Sequence, residues 1–195
     1  MDGRGQRLLE LAGSVGELVA RAQSGDARAF DALVGAHQDR VFALAYRMMG
    51  NVEDAADIQQ EAFVRAWRSL RKFRGDASFA TWLHRITVNL CLGRKRRRKE
   101  ESLEPSVEAE LAAPAEAGAP AQLEILERAI AVRKAIAGLP AHYRVLIVLR
   151  DMEDRPFDEI ASILGCSVQS ARTRESKARK MLRERLEPYL GEESL

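Results

Sequence analysis

The sequence predicts an all-α chain: two small helical domains joined by a flexible acidic Ala/Pro/Glu linker, the second carrying a helix-turn-helix. Three observations predict it. Apolar residues recur at spacings of three and four in both halves of the chain, and no strand pattern competes anywhere. Composition shifts abruptly over residues 100–121, which are rich in Ala, Pro and Glu, have no aromatic residue and keep no sustained apolar period. Residues 156–186 run without a break from a short apolar helix through Gly165 and Cys166 into a long basic helix. The first domain therefore spans residues 15–99, the linker 100–121 and the second domain 122–190.

In the first domain, Phe30, Leu33, Val34, His37, Val41, Leu44, Ala45 and Met48 mark the buried face of one helix, which Gly50 and Asn51 stop. A second helix is expected over residues 54–70, with Ile58, Ala62, Phe63, Ala66, Trp67 and Leu70 as its apolar positions. Residues 73–78 have turn chemistry. Thr81, Trp82 and Leu83 then open a helix that passes through Ile86, Asn89 and Leu90 into a basic run at residues 94–99.

Past the linker, Ile125, Ala129, Val132 and Ile136 form a helical seam that Gly138, Leu139 and Pro140 end. The next helix, over residues 142–152, is expected to pack through Val145, Leu149 and Met152. Phe157, Ile160, Ala161 and Leu164 fall on one face of the short helix. Ser167 stands where an N-cap belongs. In the last helix Val168, Ala171, Ala178 and Leu182 share a seam, and Arg172, Arg174, Lys177, Arg179, Lys180, Arg183 and Arg185 surround the other faces. A helix so placed can enter a DNA major groove, its first residues near base edges and its cations near phosphates.

Composition narrows the function classes. A 195-residue chain with 46% hydrophobic and 31% charged residues can bury a core. Its net charge of +2 conceals a segregation into a basic run, an acidic linker and a basic last helix. No apolar run is long enough to span a bilayer and no signal segment opens the chain, so a cytoplasmic location is expected. Cys91 and Cys166 form no CxxC pair, and His37, His84 and His142 are isolated, so no metal, cofactor or disulfide is expected. The absence of a phosphate loop or a nucleophile elbow argues against an enzyme.

Two segments carry a resemblance: GNVEDAADIQQEAFVRAWRSLRKFRGDASFATWLHRITVNLCLGRKRRRK before the linker, and LPAHYRVLIVLRDMEDRPFDEIASILGCSVQSARTRESKARKMLRERL after it. The chain resembles the extracytoplasmic-function sigma factors of bacteria, whose regions 2 and 4 match the two domains. That resemblance implies a stress-responsive initiation factor whose partners are core RNA polymerase, through its β′ and β subunits, and promoter DNA. The DNA would be double-stranded at the upstream, minus-thirty-five element and single-stranded at minus ten. It also admits an anti-sigma factor as a partner and implies no membrane insertion.

Carried over residue by residue, the resemblance places core-polymerase binding on Asp57, Gln60, Glu61, Phe63 and Trp67. Phe63 is expected to lie mostly in the core and Trp67 to be shared. Minus-ten reading falls to Phe73, Ser78, Phe79, Thr81, Trp82, Arg85 and Asn89, with Arg94, Arg96 and Arg97 near phosphates. Trp82 suits a core position as well as a base contact. Minus-thirty-five reading falls to Ser167, Gln169, Ser170, Arg172, Thr173, Arg174 and Lys177.

One residue departs from the family pattern. Glu175 stands on the apolar seam of the last helix, where a carboxylate is costly unless paired. Either it meets an arginine such as Arg150 or Arg172, or the helix ends its packing early. Two rival readings stay open: a sigma mimic that binds an anti-sigma factor without touching DNA, and an ordinary helix-turn-helix repressor, which would leave the first domain unexplained.

Overall fold

The computed structural model describes residues 14–101 and 120–189, and every regular element among them is helical. Four helices form the first group: α1 (Val15–Gln23), α2 (Ala27–Met49), α3 (Val52–Ser69) and α4 (Phe79–Glu101). Their ends are set by local chemistry. Ser14 and Glu17 close a capping box at the start of α1, and the Asp26 carboxylate accepts from Arg28 N and Ala29 N at the start of α2. Gly50, at φ 89°, ends α2 in the left-handed region, and Asn51 at once caps α3 through Asp54 N. That cap starts α3 two residues before the expected position 54. Ser78 likewise accepts from Thr81 N at 3.1 Å, so α4 opens at Phe79 and not at Thr81.

The second group comprises α5 (Pro120–Ala137), α6 (Ala141–Ile147), α7 (Phe157–Leu164) and α8 (Val168–Leu186). A π turn, Val148–Met152, continues α6, and a left-handed Asp154, φ 50°, turns the chain into α7. Gly165 at φ 63° ends α7, and the Ser167 hydroxyl accepts from Ser170 N to open α8, as the sequence leads one to expect. Most of the linker, residues 102–119, lies outside the described residues.

Three seam assignments need correction. Val132, Met152 and Val168 are exposed. Among the described side chains of α5 the buried ones are Ala131, Ala135 and Ile136, so the buried face keeps Ile136 of the expected seam but turns from Val132 toward Ala131 and Ala135. Met152 lies past the π turn, which rotates it off the face held by Val145 and Leu149. Val168 is the first residue of α8, and packing starts a turn later at Ala171.

The two groups are docked on one another, which the sequence does not disclose. One continuous core includes Leu33, Met48, Ile58 and Leu83 from the first group and Leu146, Leu149 and Ile160 from the second. A smaller cluster of Ile136, Leu139, Ile147 and Ala178 lies within the second group. Each fully buried aliphatic side chain contributes about 1.5–3 kcal/mol relative to exposure, and both groups supply such side chains to this core.

Polar contacts fix its register. The buried Arg144 guanidinium donates to Met48 O at 2.7 Å, capping the C-terminal end of α2, and also to Ala137 O and Leu139 O. Burial brings its pKa down to about 10. Arg47 reaches Glu153 at 3.3 Å, His84 Nε2 lies 2.8 Å from Arg155 Nη2 and 3.5 Å from Glu153 Oε2, and His84 Nδ1 lies 2.7 Å from Ala80 O. Burial pushes the Glu153 carboxyl up, but its bonds to His84 and Arg155 outweigh that and hold it below the usual carboxylate range.

Candidate nucleic-acid and protein interfaces

The outer face of α3 carries the residues expected to meet a protein. Asp57 and Gln60 are exposed and Glu61 is half-buried, all on one stripe of the helix. Phe63 is 8% exposed and belongs to the core, whereas Trp67 is 40% exposed, with its ring 4.9 Å from that of Phe30. Val64, which the sequence reading passed over, is also exposed and continues the stripe one turn beyond Gln60 and Glu61. Carboxylates and an amide thus border a small apolar surface, a composition that suits a steered, anchored protein contact.

The loop at residues 73–78 and helix α4 form a second face. Ser78, Trp82, Arg85, Asn89 and Arg96 follow helical spacing along one stripe; Ser78, Arg85, Asn89 and Arg96 are exposed and Trp82 is half-buried. Phe73, Phe79 and Trp82 make one aromatic cluster, with ring centroids 5.0 to 6.1 Å apart. Phe79 and Thr81 are 3% and 5% exposed, so they lie beneath the stripe and not on it. The Thr81 hydroxyl is 2.8 Å from the Ser78 hydroxyl, inside the helix cap. A hollow of about 410 Å³ opens beside the loop, and α1, absent from the expected site, forms its other wall through Val15, Val19 and Gln23.

Only part of the basic run faces outward unpaired. Arg94 bonds Asp57 at 3.0 Å and lies 3.3 Å from the buried Asp54, and Arg98 meets Asp54 at 2.6 Å. These contacts clamp α4 onto α3. Arg96 is 3.8 Å from Glu100, one turn on, and Arg97 is exposed. Lys95 faces the second group, where burial, with Arg144 and Arg98 nearby, lowers its pKa to about 8.

The helix-turn-helix presents a third face. Ser167, Gln169, Arg172, Thr173, Arg174 and Lys177 are exposed and Ser170 is half-buried. Three of them have local duties: the Ser167 hydroxyl caps α8, Thr173 donates its hydroxyl proton to Gln169 O, and the Arg172 guanidinium lies 5.1 Å from the centre of the Phe157 ring. Arg150 sits over the same ring at 5.3 Å and donates to Arg155 O. Neither Arg150 nor Arg172 pairs with Glu175. That carboxylate, 8% exposed, bonds Arg179 one turn further along α8, and Arg179 also bonds Asp151. The seam therefore continues past Glu175 to Ala178.

Docking brings the second and third faces together. A methyl group placed on Gly165, in the helix-turn-helix turn, would lie 3.4 Å from the Arg85 guanidinium on α4.

Residues 33–101 match the family model described as Sigma-70 region 2, and residues 129–182 match that described as Sigma-70, region 4. The RNA polymerase sigma-H factor of Pseudomonas aeruginosa is 36% identical over 184 residues, covering 90% of this chain and 95% of that protein. The ECF RNA polymerase sigma-E factor of Escherichia coli K12 is 37% identical over 182 residues, covering 89% and 94% respectively. Among solved structures, CnrH in complex with the cytosolic domain of CnrY superposes with a TM-score of 0.62 at 32% identity, covering 88% of this chain and 96% of that one.

Proposed function

This chain belongs to the extracytoplasmic-function sigma factors, and from that premise we propose that it binds core RNA polymerase and directs it to promoters read at two elements. The observation that carries the DNA reading is the capped helix-turn-helix whose second helix leaves Gln169, Thr173, Arg174 and Lys177 exposed. Arg174 and Gln169 suit bidentate contacts to base edges, and Lys177 suits a phosphate. Those groups take the minus-thirty-five element. Trp82 and Asn89 hold unstacked minus-ten bases beside the hollow at residues 73–78, with Phe79 and Thr81 as buried supports, and Arg96 and Arg97 neutralise phosphates. The α3 stripe of Asp57, Gln60, Glu61, Val64 and Trp67 takes the polymerase.

The docked arrangement cannot serve both DNA elements at once. Two elements some 25 base pairs apart are separated by about 85 Å at about 3.4 Å per pair, whereas here the turn before α8 abuts Arg85. The two groups must part in the promoter complex. A compact chain is also a natural target for an anti-sigma factor, as CnrH is bound by CnrY. The proposed place of action is the cytoplasm; no helix among the described residues is long and apolar enough to cross a membrane.

Size-exclusion chromatography with core polymerase and labelled promoter DNA tests the proposal. A sigma factor co-elutes with core and binds duplex promoter DNA tightly only in that complex. A mimic binds neither, and a repressor binds DNA as a dimer without core; either result would displace the proposal.

A further inference from the structure

We propose that Gln23 is a positioning residue for minus-ten reading: its carboxamide ties α1 to the loop that carries the minus-ten face and holds that loop in one shape. The inference rests on the functional reading above and assigns a role to a residue outside the segment that matches the region 2 model.

Gln23 is the last residue of α1, whose packing is already provided by Leu18, Val19 and Ala22. Its Nε2 donates to Leu70 O at 3.0 Å and to Phe73 O at 2.8 Å, carbonyls 47 and 50 residues away. A carboxamide has two N–H donors, and both are used here. The two carbonyls bracket the 3-10 turn Leu70–Lys72, which leads from α3 into the loop, and Phe73 N itself donates to Leu70 O at 3.0 Å. One side chain thus fixes both ends of a turn.

Beyond Phe73 the loop has little else to hold it. It passes through Gly75 at φ 80°, and among the described residues no hydrogen bond from another element reaches residues 74–77. The Phe73 ring, however, lies 5.0 Å from Trp82 and 6.1 Å from Phe79. A short line of contacts therefore runs from the Gln23 amide to the Phe73 backbone, and from the Phe73 ring to Trp82 on the reading stripe. Gln23 also lines the 410 Å³ hollow together with Phe73, Ser78 and Phe79, so its bond to Phe73 O joins two parts of that wall. A loop held in one shape penalises the wrong base, whereas a mobile loop adapts to it.

The test uses holoenzyme reconstituted with the full chain. Gln23→Glu keeps the size but turns an oxygen, with no proton to give, toward two carbonyl oxygens. Transcription from a preferred promoter is compared with that from single-base minus-ten variants and, separately, minus-thirty-five variants, all with one preparation, so that any inactive fraction cancels in the ratios. Expected is a loss of about tenfold in minus-ten discrimination, with minus-thirty-five discrimination within about twofold of wild type. Gln23→Lys, which restores donors, should recover most of the loss. Should Gln23→Glu fail to fold, Gln23→Met, lacking donors and charge, carries the same expectation.

A second readout needs no transcription: in a Trp67→Phe background, Trp82 emission should shift to the red with Gln23→Glu and not with Gln23→Lys. Unchanged minus-ten ratios in Gln23→Glu, or equal losses at both elements, would overturn the role of Gln23. A wild-type holoenzyme with no minus-ten preference would overturn the functional reading instead, and the role of Gln23 with it.

Discussion

Acidification should weaken this fold through His37. Its ring lies on the inner face of α2, 6% exposed and 5.3 Å from the Phe79 ring, and neither ring nitrogen has a hydrogen-bond partner. Burial, assisted by the charges of Arg40 and His84, lowers its pKa from 6.5 to about 4. The sign follows from which state holds the proton. Between those values the unfolded chain binds a proton that the folded chain refuses, so stability is unaffected above pH 6.5 and falls as pH drops toward 4. A gap of about 2.5 pKa units, at about 1.36 kcal/mol each, gives an upper limit of about 3.4 kcal/mol. That is a large part of the roughly 5–15 kcal/mol that holds an ordinary domain together. Urea melts of wild type and His37→Leu at intervals from pH 7.5 to 4.5 isolate the contribution, because every other titrating group is common to both chains. The leucine variant should be the more stable at every pH, with a difference that widens as pH falls. A difference constant with pH would mean that the His37 ring is not the acid-sensitive group.

Other expectations follow from particular contacts. Arg179→Ala strands the buried Glu175 carboxylate and should cost about 1–3 kcal/mol in a chemical melt, whereas Glu175→Leu should be neutral or stabilising; the reverse order would contradict the pairing. Asp57→Lys with Glu61→Lys should weaken core-polymerase association by about tenfold or more while circular dichroism stays helical, since both lost ion pairs are solvent-accessible and Arg98 with Asp54 still ties α4 to α3; undiminished pull-down would remove α3 as the docking face. Glu153→Lys sets a cation against Arg47 across the seam between the two groups, and against Arg155 within its own group. Small-angle scattering should then report a larger radius of gyration, and an unchanged radius would mean that apolar contact alone keeps the groups docked.

The helices and their stops were legible because each is signalled within a few residues. Gly50 with Asn51, and Gly165 with Ser167, announce both an end and a beginning. Phe63 in the core and Trp67 shared agree with exposures of 8% and 40%, although the two stand one turn apart on the same side of α3 and periodicity alone does not separate them. Periodicity fixes a helix face only to within a residue or so, which is why Val132 was placed inside and lies outside. Long-range polar contacts leave no such signal. Arg47 and Glu153 are separated by 106 residues, and Gln23 by 47 and 50 from the two carbonyls it holds, so nothing near either residue points to its partner. The partner of Glu175 was nearby in sequence, yet several arginines stood within reach and only the packed helix selects Arg179.

Run-off transcription tests promoter selection itself. Core polymerase is supplied with this chain and a library of templates randomised across an upstream and a downstream promoter element. Expected are chain-dependent transcripts enriched for one sequence at each of the two elements, with Arg174→Ala relaxing preference only at the upstream one. Output no different from that of core alone, although the chain binds core, would contradict the proposed function.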